Sequence, residues 1–222
     1  SYFGRLNYNF DEKYLFESNL RADASSRFKS GNRWGLFPSF SAGWRISEEP
    51  FMRGLDFISE LKLRASWGRL GNQNIEGIAG NYPYLISITQ NYGTSYNFGG
   101  QLMPGAAVTS LVDEDITWET TESIDIGLDL GLLNNRLNLE LDYFNKQTSD
   151  ILVRLPIPQI LGGVSAPVEN VGRMRNDGFE VAASYQSDSY NRDFSYRIGA
   201  NLSYVTNEVT KVRGGQAPDQ LY

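Results

Sequence analysis

Cysteine and histidine are both absent from the 222 residues. Without them the chain can build no disulfide framework, no Cys/His zinc site and no thiol or imidazole catalyst. Hydrolase constellations that need a His or Cys are excluded with them. Basic runs are missing as well. The net charge is −6 and no Lys/Arg stretch forms a patch able to release counterions from phosphates, so no nucleic-acid partner is expected. No segment approaches the roughly 18 consecutive apolar residues of a membrane helix. The mean hydropathy of −0.38 looks soluble, but transmembrane barrels look soluble by this measure too, because only alternate residues face lipid. The N-terminal SYFGRLNYNF has no charged or apolar region of a secretory signal, so for an exported protein a processed or incomplete chain is expected.

What the sequence does contain is aromatic residues, at 13%, and 22 glycines among Asn-rich breaks. This composition favours strands, and the hydrophobic period is two almost everywhere. Tyr2, Gly4, Leu6, Tyr8 and Phe10 alternate with Phe3, Arg5, Asn7 and Asn9. Tyr14, Phe16, Leu20 and Ala22 do the same against Glu17, Asn19, Arg21 and Asp23, and Leu61, Leu63, Ala65 and Trp67 against Lys62, Arg64 and Ser66. Further runs place Ile124, Ile126, Leu128 and Leu130 against Asp125, Gly127 and Asp129, with Glu122 the one charge out of place. The pattern predicts about eight strands, at 2–10, 14–25, 37–46, 60–69, 117–132, 137–150, 176–187 and 193–206.

Hairpin partners must keep their apolar residues on one side, which supplies a check on the register. A turn at Asn134-Asn135 sets Leu132 opposite Leu137 and Leu128 opposite Leu141; a turn at 11–13 sets Phe10 opposite Tyr14 and Tyr8 opposite Phe16. A turn near 188–191 predicts Tyr185 opposite Phe194 and Val181 opposite Ile198. Short turns near 11–13, 132–136 and 187–193 alternate with long excursions at 26–36, 70–116, 151–175 and 207–222, as short periplasmic turns alternate with long extracellular loops in outer-membrane barrels. The connection at 47–60 is longer than a tight turn and is expected to hold a short helix. Phe194 to Tyr204 spans about 33 Å of strand, or roughly 25 Å along the membrane normal at a tilt near 40°. A soluble lectin-like β-sandwich also alternates, but its strands usually run about five or six residues.

The wording of the chain then becomes specific. The stretches FGRLNYNFDEKYLFESNLRADASSRF, GLFPSFSAGWRISEEPF, LKLRASWGRLGNQNI, ITWETTESIDIGLDLGLLNNRLNLELDYFNKQTSDIL and NVGRMRNDGFEV resemble the barrel of the SusC/RagA family of TonB-dependent transporters. The most specific pieces are Phe37-Pro38-Ser39, Trp44-Arg45, Gly71-Asn72-Gln73, Thr117-Trp118-Glu119 and Asn176-Asp177-Gly178-Phe179-Glu180. The resemblance implies an all-β, antiparallel transmembrane barrel of the 22-strand type, in a Gram-negative outer membrane, of which this chain is part of the C-terminal half. It further implies outer-membrane lipid around the wall, a plug domain that lies outside these residues, energy from the TonB system, a SusD-type surface lipoprotein as a lid, and an oligosaccharide or peptide substrate. A structural or adhesive barrel is the alternative from another functional class.

Candidate functional residues follow from the alternation. Tyr82, Tyr84, Tyr92, Tyr96 and Phe98 in the longest loop offer aromatic faces to sugar rings or peptide side chains, or simply pack that loop. Arg21, Arg45, Arg64, Asp129 and Glu140 point to the lumen and a plug. The register sets Asp129 directly opposite Glu140, a like-charge pair that calls for a nearby cation from an adjoining strand or the plug. Tyr8, Phe16, Trp44, Trp67, Tyr143, Tyr185, Tyr196 and Tyr204 face outward as membrane-interface anchors. Asp113-Glu114-Asp115 could hold calcium but lacks an EF-hand pattern and reads as a solvated loop edge. No cofactor is expected. The lumen acids lack a cleft motif for paired-carboxylate catalysis, so no enzymatic activity is expected either.

Overall fold

The computed structural model describes residues 1–187 and 194–212, with all their side chains except those of residues 91, 92, 94 and 159. Among the described residues the alternating runs form ten strands: β1 (Tyr2–Phe10), β2 (Tyr14–Ala24), β3 (Trp34–Arg45), β4 (Ile58–Asn72), β5 (Ile88–Phe98), β6 (Gln101–Val108), β7 (Glu119–Leu132), β8 (Leu137–Arg154), β9 (Val168–Gln186) and β10 (Arg197–Lys211). Eight of them make one sheet in the order β1-β2-β3-β4-β7-β8-β9-β10, each antiparallel to its neighbours, while β5 and β6 form a separate hairpin. The sheet is a section of barrel wall.

Turn chemistry sets the register at the short-connection end. Asp11 and Glu12 adopt φ of 53° and 54°, and Lys13 N donates to Phe10 O at 3.0 Å, which closes a primed turn with Phe10 opposite Tyr14. Leu133, Asn134 and Asn135 all have φ between 55° and 59°, and Leu132 lies opposite Leu137. The third hairpin differs from expectation by four residues: Tyr185 faces Ile198 and Val181 faces Leu202. Ser187 N donates to Tyr196 O at 2.9 Å and Tyr196 N donates to Ser187 Oγ at 2.8 Å, so the ladder is closed by a wider loop than the shortest one. The loop residues 188–193 lie outside the described residues. An even shift preserves parity, which is why the apolar face is unaffected.

Strands run further than the apolar pattern indicates on the long-connection side. β4 reaches Asn72, β8 reaches Arg154 and β9 begins at Val168. Backbone pairing continues where polar side chains replace apolar ones, so alternation marks the lipid contact and not the end of the ladder. The excursion at 70–116 is likewise not a plain loop. It holds one helical turn (Glu76–Ala79) and the β5–β6 hairpin, closed at Gly99 and Gly100 with φ of 57° and 86°. The connection at 47–60 contains two 3₁₀ turns, Ile46–Glu48 and Pro50–Met52.

The outward face shows how the sheet sits in a bilayer. One row of hydrogen-bonded neighbours reads Tyr8, Phe16, Ala42, Ala65, Ile126, Tyr143, Phe179, Tyr204. It has aromatics at both ends and small or aliphatic residues between. Seven inter-strand gaps of about 4.8 Å make a row about 34 Å long, which at a strand tilt near 40° climbs about 22 Å, close to the height of a barrel's apolar band. On that tilt Tyr8 and Phe16 lie at the low end of the row, and Tyr143, Phe179 and Tyr204 at the high end. β3 carries a tryptophan at each end of its outward row, Trp34 and Trp44.

The buried core is small and lies at the long-connection end. Phe28, Phe37, Ile75, Ile116, Trp118, Leu152 and Val168 form one cluster. Trp118 is its centre, with ring centroids 5.2 Å from Phe28 and 5.3 Å from Phe37, and its Nε1 donates to Arg33 O at 3.1 Å. Phe37 lies flat between Gly35 and Gly71, where any Cβ would overlap its ring. Asn170 fastens the same region. Thr117 N donates to its Oδ1 at 2.8 Å, and its Nδ2 donates to Thr117 O at 3.1 Å and Asp150 O at 2.6 Å. Three of the most specific sequence pieces, around Phe37, Gly71 and Trp118, therefore meet in one place.

Because the Phe37 ring occupies the space of a side chain at 71, Gly71→Val is expected to destabilise the barrel by about 1–3 kcal/mol through overpacking. Phe37→Ala is expected to cost about 3–5 kcal/mol through the cavity it leaves. The double variant is expected to cost less than the sum, since each change relieves the other. Urea unfolding of the full-length protein in detergent, followed by the gel-mobility difference between folded and unfolded barrel, measures all three.

Candidate functional site

The polar face is concave. A hollow of about 450 Å³ is lined by Asn7, Asn9, Glu17, Ser41, Lys62 and Arg64 among others. Arg64, on β4, is the organising group of this wall. Its register partner on β7 is Gly127, and beyond Gly127 on β8 stands Asp142. With no side chain at 127, the guanidinium crosses the whole width of β7: Nη2 donates to Asp142 Oδ2 and Nε to Asp129 Oδ1, each at 2.9 Å. A Cβ at 127 would overlap both Asp142 Oδ1 and Arg64 Cζ. Lys62 Nζ stands 3.5 Å from Asp129 Oδ2 and adds a second cation. One arginine thus stitches three strands through side chains as well as backbone.

Asp129 and Glu140 do lie opposite each other. The cations come from the adjoining strand β4, and they reach Asp129 and Asp142, not Glu140. Among the described residues Glu140 and Glu180 make no ion pair, and Asp142 lies directly opposite Glu180. Arg21 pairs along its own strand with Asp23. Arg45 is turned to the short-connection end, where Nη1 donates to Glu12 O at 3.3 Å and Nη2 to Glu48 Oε1 at 3.1 Å, so these donors hold turns together. The bridge over Gly127 is absent from the sequence expectations. A glycine inside a strand, marking close approach of another group, was the signal for it.

The outward aromatics are exposed. Tyr8, Phe16, Trp44, Tyr143, Tyr196 and Tyr204 leave large parts of their rings uncovered, opposite to what a soluble sandwich core requires. Trp67 stacks on Phe40 with centroids 5.9 Å apart, and Tyr185 contacts Tyr196 at 6.1 Å. Trp44 stacks on Tyr14, and both are tied to Glu49 in the 3₁₀ connection: Tyr14 OH donates at 2.6 Å and Trp44 Nε1 at 3.0 Å. These two donors, the tyrosine first, hold the Glu49 carboxyl below its usual range.

On the long-connection side Tyr96 and Phe98 come together, 4.9 Å between centroids, on one exposed face of the β5–β6 hairpin. Tyr82 is exposed in the turn before β5 and Tyr84 half-buried beside it. Tyr92 lies in β5, but its side chain is outside the described residues. In the acidic run, Glu114 pairs with Lys29, which lowers the Glu114 carboxyl and raises the Lys29 ammonium, and Asp113 Oδ1 accepts from Asp115 N at 2.9 Å. No group of three potential metal-ligating side chains occurs among the described residues.

Arg64→Gln is expected to leave Asp142 without a cation. With the three side chains about a quarter to a third exposed, solvent screening holds the expected loss to about 1–2 kcal/mol in urea unfolding. Gly127→Val is expected to match it by displacing the same guanidinium. The lowered Glu49 carboxyl contributes stability above its ordinary range, and that contribution is lost as pH falls through the folded value. Acid titration of tryptophan emission is therefore expected to show a step at low pH that disappears in Glu49→Gln.

Comparison with known proteins agrees with this geometry. The family described as TonB dependent receptor-like, beta-barrel matches residues 1–221. The TonB-dependent receptor SusC of Bacteroides thetaiotaomicron is 36% identical over 220 residues, covering 99% of this chain and 21% of that protein. TonB-dependent receptor P39 of Formosa agariphila is 38% identical over 212 residues, covering 96% and 19%. In the RagAB peptide importer in its open-open state, a chain 31% identical superposes with a TM-score of 0.82, covering 98% of this chain and 23% of that one. The siderophore receptor PirA of Pseudomonas aeruginosa, 16% identical with a TM-score of 0.57, shares the fold alone. The chain spans about a fifth of the length of the curated relatives it matches. Proteins of this kind are outer-membrane β-barrels of Gram-negative bacteria that act as receptors and transporters, not enzymes. This wall of antiparallel strands belongs to the TonB-dependent receptor β-barrel family.

Proposed function

We propose that the full-length protein imports a nutrient of the oligosaccharide or peptide class across the outer membrane, driven through the TonB system and without covalent chemistry. The observation that carries the reading is the lumen wall. It is concave and polar, and two of its carboxylates, Glu140 and Glu180, make no ion pair among the described residues. Such a surface suits a charged plug and an aqueous path more than a lipid-filled or purely adhesive barrel. A cation on the plug is the natural partner for Glu140, since an unpaired carboxylate facing another acid is costly once water is excluded.

The β5–β6 hairpin is the recognition element on this reading. Its exposed Tyr96, Phe98, Leu102 and Met103 suit contact with substrate or with a SusD-type lipoprotein lid. The RagAB neighbour is a peptide importer, which supports the peptide arm of the proposal.

Deletion of residues 86–110 in the full-length gene is expected to lower TonB-dependent uptake of labelled oligosaccharide or oligopeptide pools at least tenfold while the barrel stays folded. Uptake unchanged by the deletion and by loss of TonB would point to an adhesive or structural barrel. Glu140→Gln with Glu180→Gln is expected to loosen the plug, read as increased sensitivity to a large antibiotic that the intact barrel excludes.

A further inference from the structure

Ionised side chains are unevenly spread on the long-connection side. The excursion between β2 and β3 carries Arg27, Lys29 and Arg33, and Asp113-Glu114-Asp115 follows β6. Between Glu76 and Asp113, and again between Arg154 and Glu169, no Asp, Glu, Lys or Arg occurs, although these residues make up 21% of the chain and histidine is absent throughout. The β5–β6 hairpin and the 155–167 connection therefore carry no formal charge at all. The charges at their borders are used within the protein. Arg27 Nη2 stands 3.5 Å from Glu76 Oε2, Lys29 pairs with Glu114, and Arg154 Nη2 donates to Ile78 O at 3.1 Å. Bonded charges thus mark the base of two neutral excursions.

Backbone hydrogen bonds join those two excursions. Ser165 N donates to Thr109 O at 2.8 Å and Leu111 N to Ser165 O at 2.9 Å, which makes a parallel bridge between Ser110 and Ser165 just after β6. The hydroxyls of Thr89 and Thr109, 2.9 Å apart, tie the same point back to β5. The 155–167 connection is also anchored where it leaves and rejoins the wall, since Leu155 and Val168 are both buried. Hairpin and connection are held as one piece.

That piece offers aromatic rings and amides. Tyr96 and Phe98 lie together on the hairpin, and Asn81, Gln90, Asn97 and Gln101 supply primary amides on and beside it. An aromatic face accepts the C–H side of a sugar ring, and an amide both donates to and accepts from sugar hydroxyls. A free oligopeptide instead arrives with an ammonium at one end and a carboxylate at the other, and an acidic glycan arrives with carboxylates. Drawing such charges out of water onto a surface with no counter-charge is unfavourable.

We infer that the β5–β6 hairpin and the 155–167 connection form one recognition unit and that its ligand is an uncharged oligosaccharide. The inference rests on the import reading above and chooses between its two ligand classes. Peptide import belongs to the RagAB neighbour; the neutral excursions of this chain point the other way.

The test is TonB-dependent uptake by native cells making the full-length protein, corrected for a strain that lacks the gene. Three isotope-labelled pools are compared: neutral gluco-, manno-, xylo- and galacto-oligosaccharides, uronate oligosaccharides of matched length, and oligopeptides. Uptake from the neutral pool is expected to exceed each of the others at least tenfold. Uronates or peptides taken up as fast as the neutral pool overturn the ligand class while leaving the import reading intact. Absence of TonB-dependent uptake from every pool overturns the import reading and the inference with it. Ser165→Pro, which removes the N–H that bonds Thr109 O, is expected to lower neutral uptake at least fivefold in a barrel shown to be folded by its gel mobility without heating. Should that variant fail to fold, Ile160→Ser with Leu161→Ser, which leaves the backbone bonds in place, decides in the same assay. A folded variant that imports like the parent overturns the shared unit.

Discussion

Every backbone N–H and C=O that enters hydrocarbon has to find a partner within the protein. For strands this means a continuous antiparallel ladder, and for a ladder in a closed wall it means tilt. Much of the rest of this structure follows from that requirement. The tilt explains how a single row of paired residues, from Tyr8 to Tyr204, can carry aromatics at both ends and small or aliphatic residues between. It also explains why β3 carries tryptophans at both ends of its outward face. The apolar band is level in the membrane but diagonal on the sheet.

A wall built this way keeps its side-chain core for the places where the ladder is insufficient. At the long-connection end, loops with no lipid around them need a core of their own, and Phe28, Phe37 and Trp118 supply it, with the glycines at 35 and 71 making room. On the lumen face the Arg64 bridge over Gly127 performs a related task with charge. It neutralises two of the acids that a water-facing wall accumulates and ties β4, β7 and β8 together. Glu140 and Glu180 make no ion pair among the described residues and lie on this same face.

Much of the fold was legible in the residues because period two is rigid. A strand cannot change which residues share a face, so Leu128, Leu130 and Leu132 pointed outward whatever their partners, and parity survived even the four-residue error at the β9–β10 hairpin. That error arose because loop length there is set by the Ser187–Tyr196 hydrogen bonds, which no local pattern announces. The β5–β6 hairpin was legible in principle, through Gly99-Gly100, but its weak alternation hid the flanking strands. Glu140 was expected to share a cation with Asp129. The bridge joins Asp129 to Asp142 instead, because Gly127, beside Arg64 in its row, has no side chain to block the guanidinium.

The sequence by itself determined the strand-rich wall, the face each residue occupies, the short turns and the family, since all four depend on near neighbours or on wording along the chain. Tertiary structure decided which side chains meet across strands: the partners of Arg64, the edge contact of Phe37 with Trp118, the bonds of Arg45 to the turn at Glu12, and the parting of β3 from β4. Those contacts join residues tens of positions apart. They depend on register, tilt and the space left by single glycines, quantities that exist only once the strands are laid side by side.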